Sequence, residues 1–294
     1  MQSSRKRKQI SSRSSTKPRR TTASRRTEDP YSDHPLPTAE ECRSVRDDLL
    51  SLHGFPQEFV KYRDQRLQMG LRESQILPNA GECAEKESVL DGLIRTVLSQ
   101  NTTEVNSERA FGNLKCAFPT WEQVLAAESK GIEDAIRCGG LAPTKSSCIK
   151  NLLSCLLQKK GKLCMEYLTE LSVEEIKAEL SHFKGIGPKT VACVLMFQLQ
   201  KDDFPVDTHV FQISKTMGWV PASADIKKTY LHLNQRIPDE LKFDLNCLMY
   251  THGKACKRCS NRNVGGLEKE TGDGHCPLLT HRKHHAAEKY DKNC

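Results

Sequence analysis

The sequence predicts an all-α fold, and three observations carry the prediction. Apolar residues recur at helical spacing along most of the chain after residue 38. Runs of alternating β-branched residues are scarce, and no internal repeat is evident. Helix-start signals, Ser or Thr followed three residues later by Glu, stand before apolar stretches at Thr38/Glu41 and Ser172/Glu175.

The elements follow in order. After Thr38 come Val45, Leu49, Leu50 and Leu52, one helical face. Residues 66–84 are polar and irregular and are expected to form a connecting loop. Val89, Leu90, Leu93, Ile94, Val97 and Leu98 then mark the stripe of a half-buried helix. Further helical stretches are expected near 104–116, 121–127, 131–137, 144–158, 172–183, 189–199, 208–217, 225–236 and 239–252.

Charge is unevenly placed along the 294 residues. Residues 1–26 hold ten basic and no acidic side chains, and removing that +10 from the formal total of +8 leaves −2 for the remainder. Residues 1–37 have little to bury and are expected to be a disordered basic tail. Arg5–Lys8 and Lys17–Arg20 have the look of nuclear import signals, so the nucleus is the expected location. The longest central apolar run, Val191 to Phe197, has seven residues, against about 20 for a membrane span. The first residues lack a secretory h-region, so the thirteen cysteines are expected in a reducing compartment, with Cys148, Cys155 and Cys193 acting as small hydrophobes.

The most informative segment runs from Leu180 to Ala192. A capped helix ends near Phe183, Gly185-Ile186-Gly187 makes a tight turn, and Pro188 suits the first turn of a new helix. Two helices joined by Gly-x-Gly form a helix-hairpin-helix. Its glycines admit a phosphate, and the free N–H groups of the second helix, with the positive end of its dipole, favour an anion. Gly185, Ile186, Gly187 and Thr190 are therefore expected to bind DNA. Alone, this hairpin also fits a noncatalytic module that uses its lysine only to hold phosphate.

Two further segments narrow the choice. Phe204-Pro-Val-Asp-Thr-His-Val210 places Asp207 eighteen residues after Lys189, and Leu98-Ser-Gln-Asn-Thr-Thr103 closes the first strong helix. With the hairpin, these resemble the endonuclease III superfamily of helix-hairpin-helix (HhH-GPD) DNA glycosylases, from about residue 85 to about 255. The resemblance implies that Lys189 is the nucleophile and that Asp207 assists base departure. A lysine attacks only as the neutral amine, which a helix N-terminus and a desolvated cleft both favour. A fixed carboxylate stabilises an oxocarbenium-like sugar. Asp207 is also well placed simply to cap the helix that starts at Thr208. The resemblance further implies that Gln100 enters the gap left by an extruded base, that Leu141 in Cys138-Gly-Gly-Leu-Ala-Pro143 wedges from the opposite side, and that Asn101 contacts the orphaned base.

The C-terminus departs from the family's Cys-x6-Cys-x2-Cys-x5-Cys iron–sulfur loop. After His252-Gly253 come Cys256, Cys259 and, with sixteen residues between, Cys276, so one cysteine is missing and one spacing is expanded. Cys247, His275 or Cys294 could replace the missing ligand of a [4Fe–4S] cluster, and Cys256, Cys259 and Cys276 with His275 could instead hold zinc. No cofactor is required for the chemistry assigned to Lys189 and Asp207.

These readings converge on an all-α protein of two helical lobes with an active cleft between them. Residues 82–200 are expected to form a helical barrel ending in the hairpin, and 38–81 with 201–290 the second lobe. The expected activity is that of a monomeric bifunctional DNA glycosylase/AP lyase, a plant nuclear member of the superfamily acting on oxidised pyrimidines in double-stranded DNA. Phe204-Pro-Val-Asp-Thr208 and Gly218-Trp-Val-Pro221 also resemble plant glycosylases that excise 5-methylcytosine, which is the alternative within the enzyme class.

Overall fold

The computed structural model describes residues 29–73, 87–256, 258–259 and 276–281, and among these every regular element is helical. In chain order they are α1 (Ala39–His53), α2 (Gln57–Glu73), α3 (Val89–Leu98), α4 (Glu104–Ala117), α5 (Trp121–Ala126), α6 (Ser129–Ile136), α7 (Ala142–Lys160), α8 (Val173–Ser181), α9 (Pro188–Cys193), α10 (Thr208–Met217), α11 (Ile226–Arg236) and α12 (Asp239–Ala255). Among the described residues, no helix is long and apolar enough to cross a membrane.

Local chemistry fixes most helix starts. Thr38, Ser88, Thr103, Asp207 and Asp225 each accept a hydrogen bond from an N–H of the first turn of their helix. Thr120 with Gln123, and Ser172 with Glu175, form complete reciprocal boxes. α9 runs on into a π-helical turn at Val194–Gln198, where the Leu199 N–H donates to the Val194 carbonyl. Such turns are inserted where packing demands an extra residue, often beside functional sites.

Two apolar cores organise these helices. One is built from residues between Val89 and Leu199, including Leu93, Ile94, Ile149, Leu180 and Leu195. The other joins Cys42, Val45 and Leu49 of α1 to residues between Phe204 and Leu278, including Trp219, Leu245 and Leu248. A smaller cluster of Met196, Phe243 and Cys247, flanked by Phe55, Phe59, Tyr62 and Phe197, lies where α2, the π-turn and α12 meet.

Two sequence expectations are corrected. Residues 66–73, read as the start of a loop, complete α2. That helix is held by tertiary contacts rather than by an apolar stripe. Arg63 makes a paired bond to Asp244, and Arg66 donates to the carbonyls of Gln200 and Lys201. Residues 29–37, read as the end of a disordered tail, form a strap across α11. Buried His232 requires partners for both ring nitrogens and finds Asp29 at 2.8 Å and the Leu36 carbonyl at 2.7 Å. His34 reaches the Gly218 carbonyl, and Tyr31 and Leu36 pack on the second core. The nuclear-import runs within 1–26 and the loop from 74 to 84 lie outside the described residues.

Candidate active site

The hairpin is anchored from behind. Phe183 and Ile186 are both buried in the first core, and the Ile186 N–H donates to the Phe183 carbonyl. Ile186, expected among the DNA contacts, therefore spends its side chain and its N–H inside the protein, where burial of such a residue contributes about 1.5–3 kcal/mol. Gly185 has φ +93°, and a Cβ there would stand 2.6 Å from Cys148 Sγ of α7. Any side chain there would be strained by this backbone and would have to push the Cys148 thiol aside. The Cys148 thiol also donates to the Lys184 carbonyl at 3.4 Å. In α9 the first intrahelical bond runs from the Val191 N–H to the Gly187 carbonyl, so the N–H groups of Lys189 and Thr190 have no acceptor within their own helix. They are the natural donors for a phosphate.

Lys189 is exposed in this first turn, and Asp207 is half-buried at the head of α10. Asp207 Oδ1 accepts the Val210 N–H at 2.8 Å, so the capping role is real and leaves Oδ2 available. The two residues share a neighbour in Cys193, one turn beyond Lys189. Burial pushes the Cys193 thiol up to about 11, with Lys189 drawing it down and Asp207 and Asp203 pushing it further up. Asp207 also acts, after burial, to raise the Tyr250 phenol, as do Glu104, Glu58 and Cys193. The Tyr250 ring meets His209 edge-on at 5.9 Å and Phe59 at 6.0 Å. Gly253 permits this approach of α12 to α10, because a Cβ there would lie 2.6 Å from His209 Cβ. Lys189, Cys193, Asp207, His209 and Tyr250 thus bring α9, the head of α10 and α12 into one neighbourhood.

Gln100 and Leu141 approach from the other side. The Gln100 amide donates to the Thr190 hydroxyl at 3.1 Å, which places it beside Lys189. Asn101 has φ 51°, a conformation Asn tolerates better than most residues. Leu141 also has φ 51°, with 53% of its surface exposed, at the start of α7. Leu141 therefore presents an apolar side chain to solvent from a strained backbone. Lys145, one turn into α7, is buried and donates to the carbonyls of Leu98 and Gly139.

A second constellation lies at the end of α12. His252, Cys256, Cys259 and Cys276 each offer one donor atom, these atoms all lie within 4.8 Å of one another, and the group could hold a metal ion. Cys256, Cys259 and Cys276 were expected from spacing, but His252, the residue opening the His-Gly pair, was not. Cys247, one of the suggested replacements, is instead packed with Met196 and Phe243. His275 and Cys294, the other two, lie outside the described residues. Tyr250 and His209 were likewise not expected at the site, and Cys193 was expected only as a small hydrophobe. Only His209, two residues after Asp207, stood inside a quoted motif.

Comparison with known proteins places the chain in a family. The profile of the family described as HhH-GPD superfamily base excision DNA repair protein matches residues 94–239. A protein of Arabidopsis thaliana provisionally named a DNA glycosylase is 60% identical over 259 residues, covering 85% of this chain and 87% of that protein. Endonuclease III of Sulfolobus acidocaldarius is 28% identical over 182 residues, covering 61% of this chain and 78% of the relative. The solved structure of a trapped endonuclease III–DNA covalent intermediate matches with TM-score 0.57 at 20% identity, over 85% of this chain and 100% of that one, a likeness of fold. With its hairpin, its helix-capping carboxylate and a 60% identical relative of nearly the same length, the chain belongs to the HhH-GPD superfamily of base excision DNA repair glycosylases.

Proposed function

We propose that this protein is a bifunctional DNA glycosylase/AP lyase that removes oxidised pyrimidines from double-stranded DNA, with Lys189 as nucleophile and Asp207 as its electrostatic partner. The observation that supports the reading is that Lys189, in the first turn after the hairpin, and Asp207, at the head of α10, both lie close enough to the half-buried Cys193 thiol for their charges to shift it in opposite directions. The free N–H groups of the hairpin grip a phosphate and hold the duplex against the site. Leu141 and Gln100 fill the space of the extruded nucleotide.

As the C1′–N bond breaks, the base leaves with the electron pair and Asp207 faces the positive charge developing on the sugar. The neutral Lys189 amine bonds to C1′. The amine's two protons pass to the departed base and to O4′ as the ring opens, giving a Schiff base, from which loss of a C2′ proton expels the 3′ phosphate. The basic runs near the N-terminus support a nuclear location for this activity.

The test is base release from duplexes that each carry one defined base. Thymine glycol and dihydrouracil should be released, with strand cleavage at the same site. Release of 5-methylcytosine in their place would move the substrate to the alternative class, and release of none would leave only a phosphate-gripping module.

A further inference from the structure

The site at the end of α12 has the dimensions of one tetrahedral ion. Zinc binds Cys sulfur at about 2.3 Å and His nitrogen at about 2.0–2.1 Å, so a tetrahedron sets S···S near ~3.8 Å and N···S near ~3.6 Å. Cys259 Sγ and Cys276 Sγ stand 3.7 Å apart, and Cys276 Sγ stands 3.4 Å from His252 Nε2. The sulfur pair is far beyond a disulfide bond of about 2.05 Å. The iron–sulfur cluster of the wider family fits these residues poorly. A four-iron cluster sets a cube of metal and sulfide between its ligands, so its donor atoms stand further apart than those of a single ion. It is also normally held by four thiolates, whereas only three join His252 among the described residues.

The surroundings are those of a built site. His252, Cys259 and Cys276 are all buried, and Cys256 is half-buried. His252 Nδ1 lies 2.9 Å from His53 Nε2 of α1. When Nδ1–H donates to His53, the bare Nε2 lone pair of His252 faces Cys276 Sγ, the tautomer a metal requires. The site also sits at a junction. His252 and Cys256 belong to α12 and its end, whereas Cys276 begins the segment whose Leu278 is buried in the second core and whose His281 bonds Asp48 of α1 at 2.7 Å.

We propose that His252, Cys256, Cys259 and Cys276 bind one structural zinc ion in place of the family's iron–sulfur cluster, with His53 orienting His252, and that the ion fastens residues 276–281 to α1 and α12. Four protein ligands leave no open position, so the ion takes no part in the reaction.

The full chain, purified without chelators or metal-affinity resin, tests this by elemental analysis. About one zinc per chain, with neither iron nor acid-labile sulfide, is expected. Iron with stoichiometric sulfide overturns the proposal, as does a protein that takes up no zinc and carries a Cys259–Cys276 disulfide. Cobalt exchanged into the wild-type site should give ligand-field bands of a tetrahedral ion with thiolate charge transfer, and His252→Cys should strengthen the charge transfer by adding a fourth thiolate. A spectrum unchanged by His252→Cys removes His252 from the site. Should that variant not fold, His53→Phe serves, with zinc affinity expected to fall by about 10–100-fold. An unchanged affinity contradicts the assigned ligation.

Discussion

The ammonium of Lys145 donates to the carbonyl oxygen of Leu98 across 2.7 Å, with only 2% of the residue exposed. Its second bond, to the Gly139 carbonyl at 2.8 Å, ties the end of α3 to the loop that presents Leu141. Gln100 and Asn101 follow Leu98 after Ser99, so one buried side chain sets the spacing between the two elements that the proposed function places in the DNA. Lys145→Met should leave both carbonyls unpaired at about 1–3 kcal/mol, partly offset by relief of a buried charge. Base excision should fall by up to about 100-fold through misplaced wedges, with hairpin-driven binding of undamaged duplex little changed. Equal losses in both assays would show that Lys145 acts on global folding alone.

Leu141 gives a prediction in which stability and activity move in opposite directions. Its left-handed backbone favours glycine, and its exposed side chain contributes little packing. Leu141→Gly should leave thermal stability unchanged or raise it by up to about 1 kcal/mol, because relief of strain competes with the greater chain entropy of glycine. The variant should nevertheless lose affinity for lesion-containing duplex. A clear drop in melting temperature with full activity would show Leu141 to be a packing residue.

Asp207 caps α10, and the proposed function gives it a second, electrostatic task that one substitution can separate from the first. Asn caps a helix about as well as Asp, so Asp207→Asn should keep the bond from the Val210 N–H and change stability by less than about 0.5 kcal/mol. It removes the negative charge, and excision should fall by about 100-fold or more. Asp207→Ala should lose both, with about 1 kcal/mol of stability gone as well. Full activity in the Asn variant, measured by single-turnover base release, would leave Asp207 as a cap and nothing else.

The legible parts of the molecule were those written locally. The Ser172/Glu175 box, the stripe on α3, the Gly185–Pro188 turn and the Asp207 cap each depend on residues within a few positions of one another, and each stands in the structure where the pattern put it. What escaped depended on distance along the chain. His252 faces Cys276 across twenty-four positions, and the replacements suggested by spacing, Cys247, His275 and Cys294, did not include it. The strap at 29–37 is polar and looks unstructured until His232, about two hundred residues later, supplies its partner. The later part of α2 has few apolar residues and is fixed by Asp244 and the backbone at 200–201. Tyr250 entered the site because Gly253, one turn on, lets α12 close on His209.

The strap also carries a pH dependence of definite sign. Burial alone would raise the Asp29 carboxyl, but the bond from His232 and the Tyr31 N–H, with the charges of His232 and Arg236, outweigh it and hold Asp29 below its ordinary value. A depressed acid stabilises the fold fully above its unfolded value, about 3.9, and that contribution is lost as pH falls through the folded value. Hydrogen exchange of residues 29–37 should therefore accelerate selectively on acidification below about pH 4. In Asp29→Asn the strap should exchange faster at neutral pH and lose this acid step. A step of the same size in the variant would assign it to another group.

The central claim is that the amine of Lys189 forms a covalent bond with the sugar of an extruded nucleotide. Borohydride reduction during turnover on a thymine glycol duplex reads that bond directly, because it converts a Schiff base into a stable protein–DNA adduct. The wild-type chain should give the adduct with its attachment on the peptide containing Lys189, and Lys189→Gln should give none while still binding the duplex. An adduct that persists in Lys189→Gln, or base release by the wild-type chain with no adduct at all, would contradict the account.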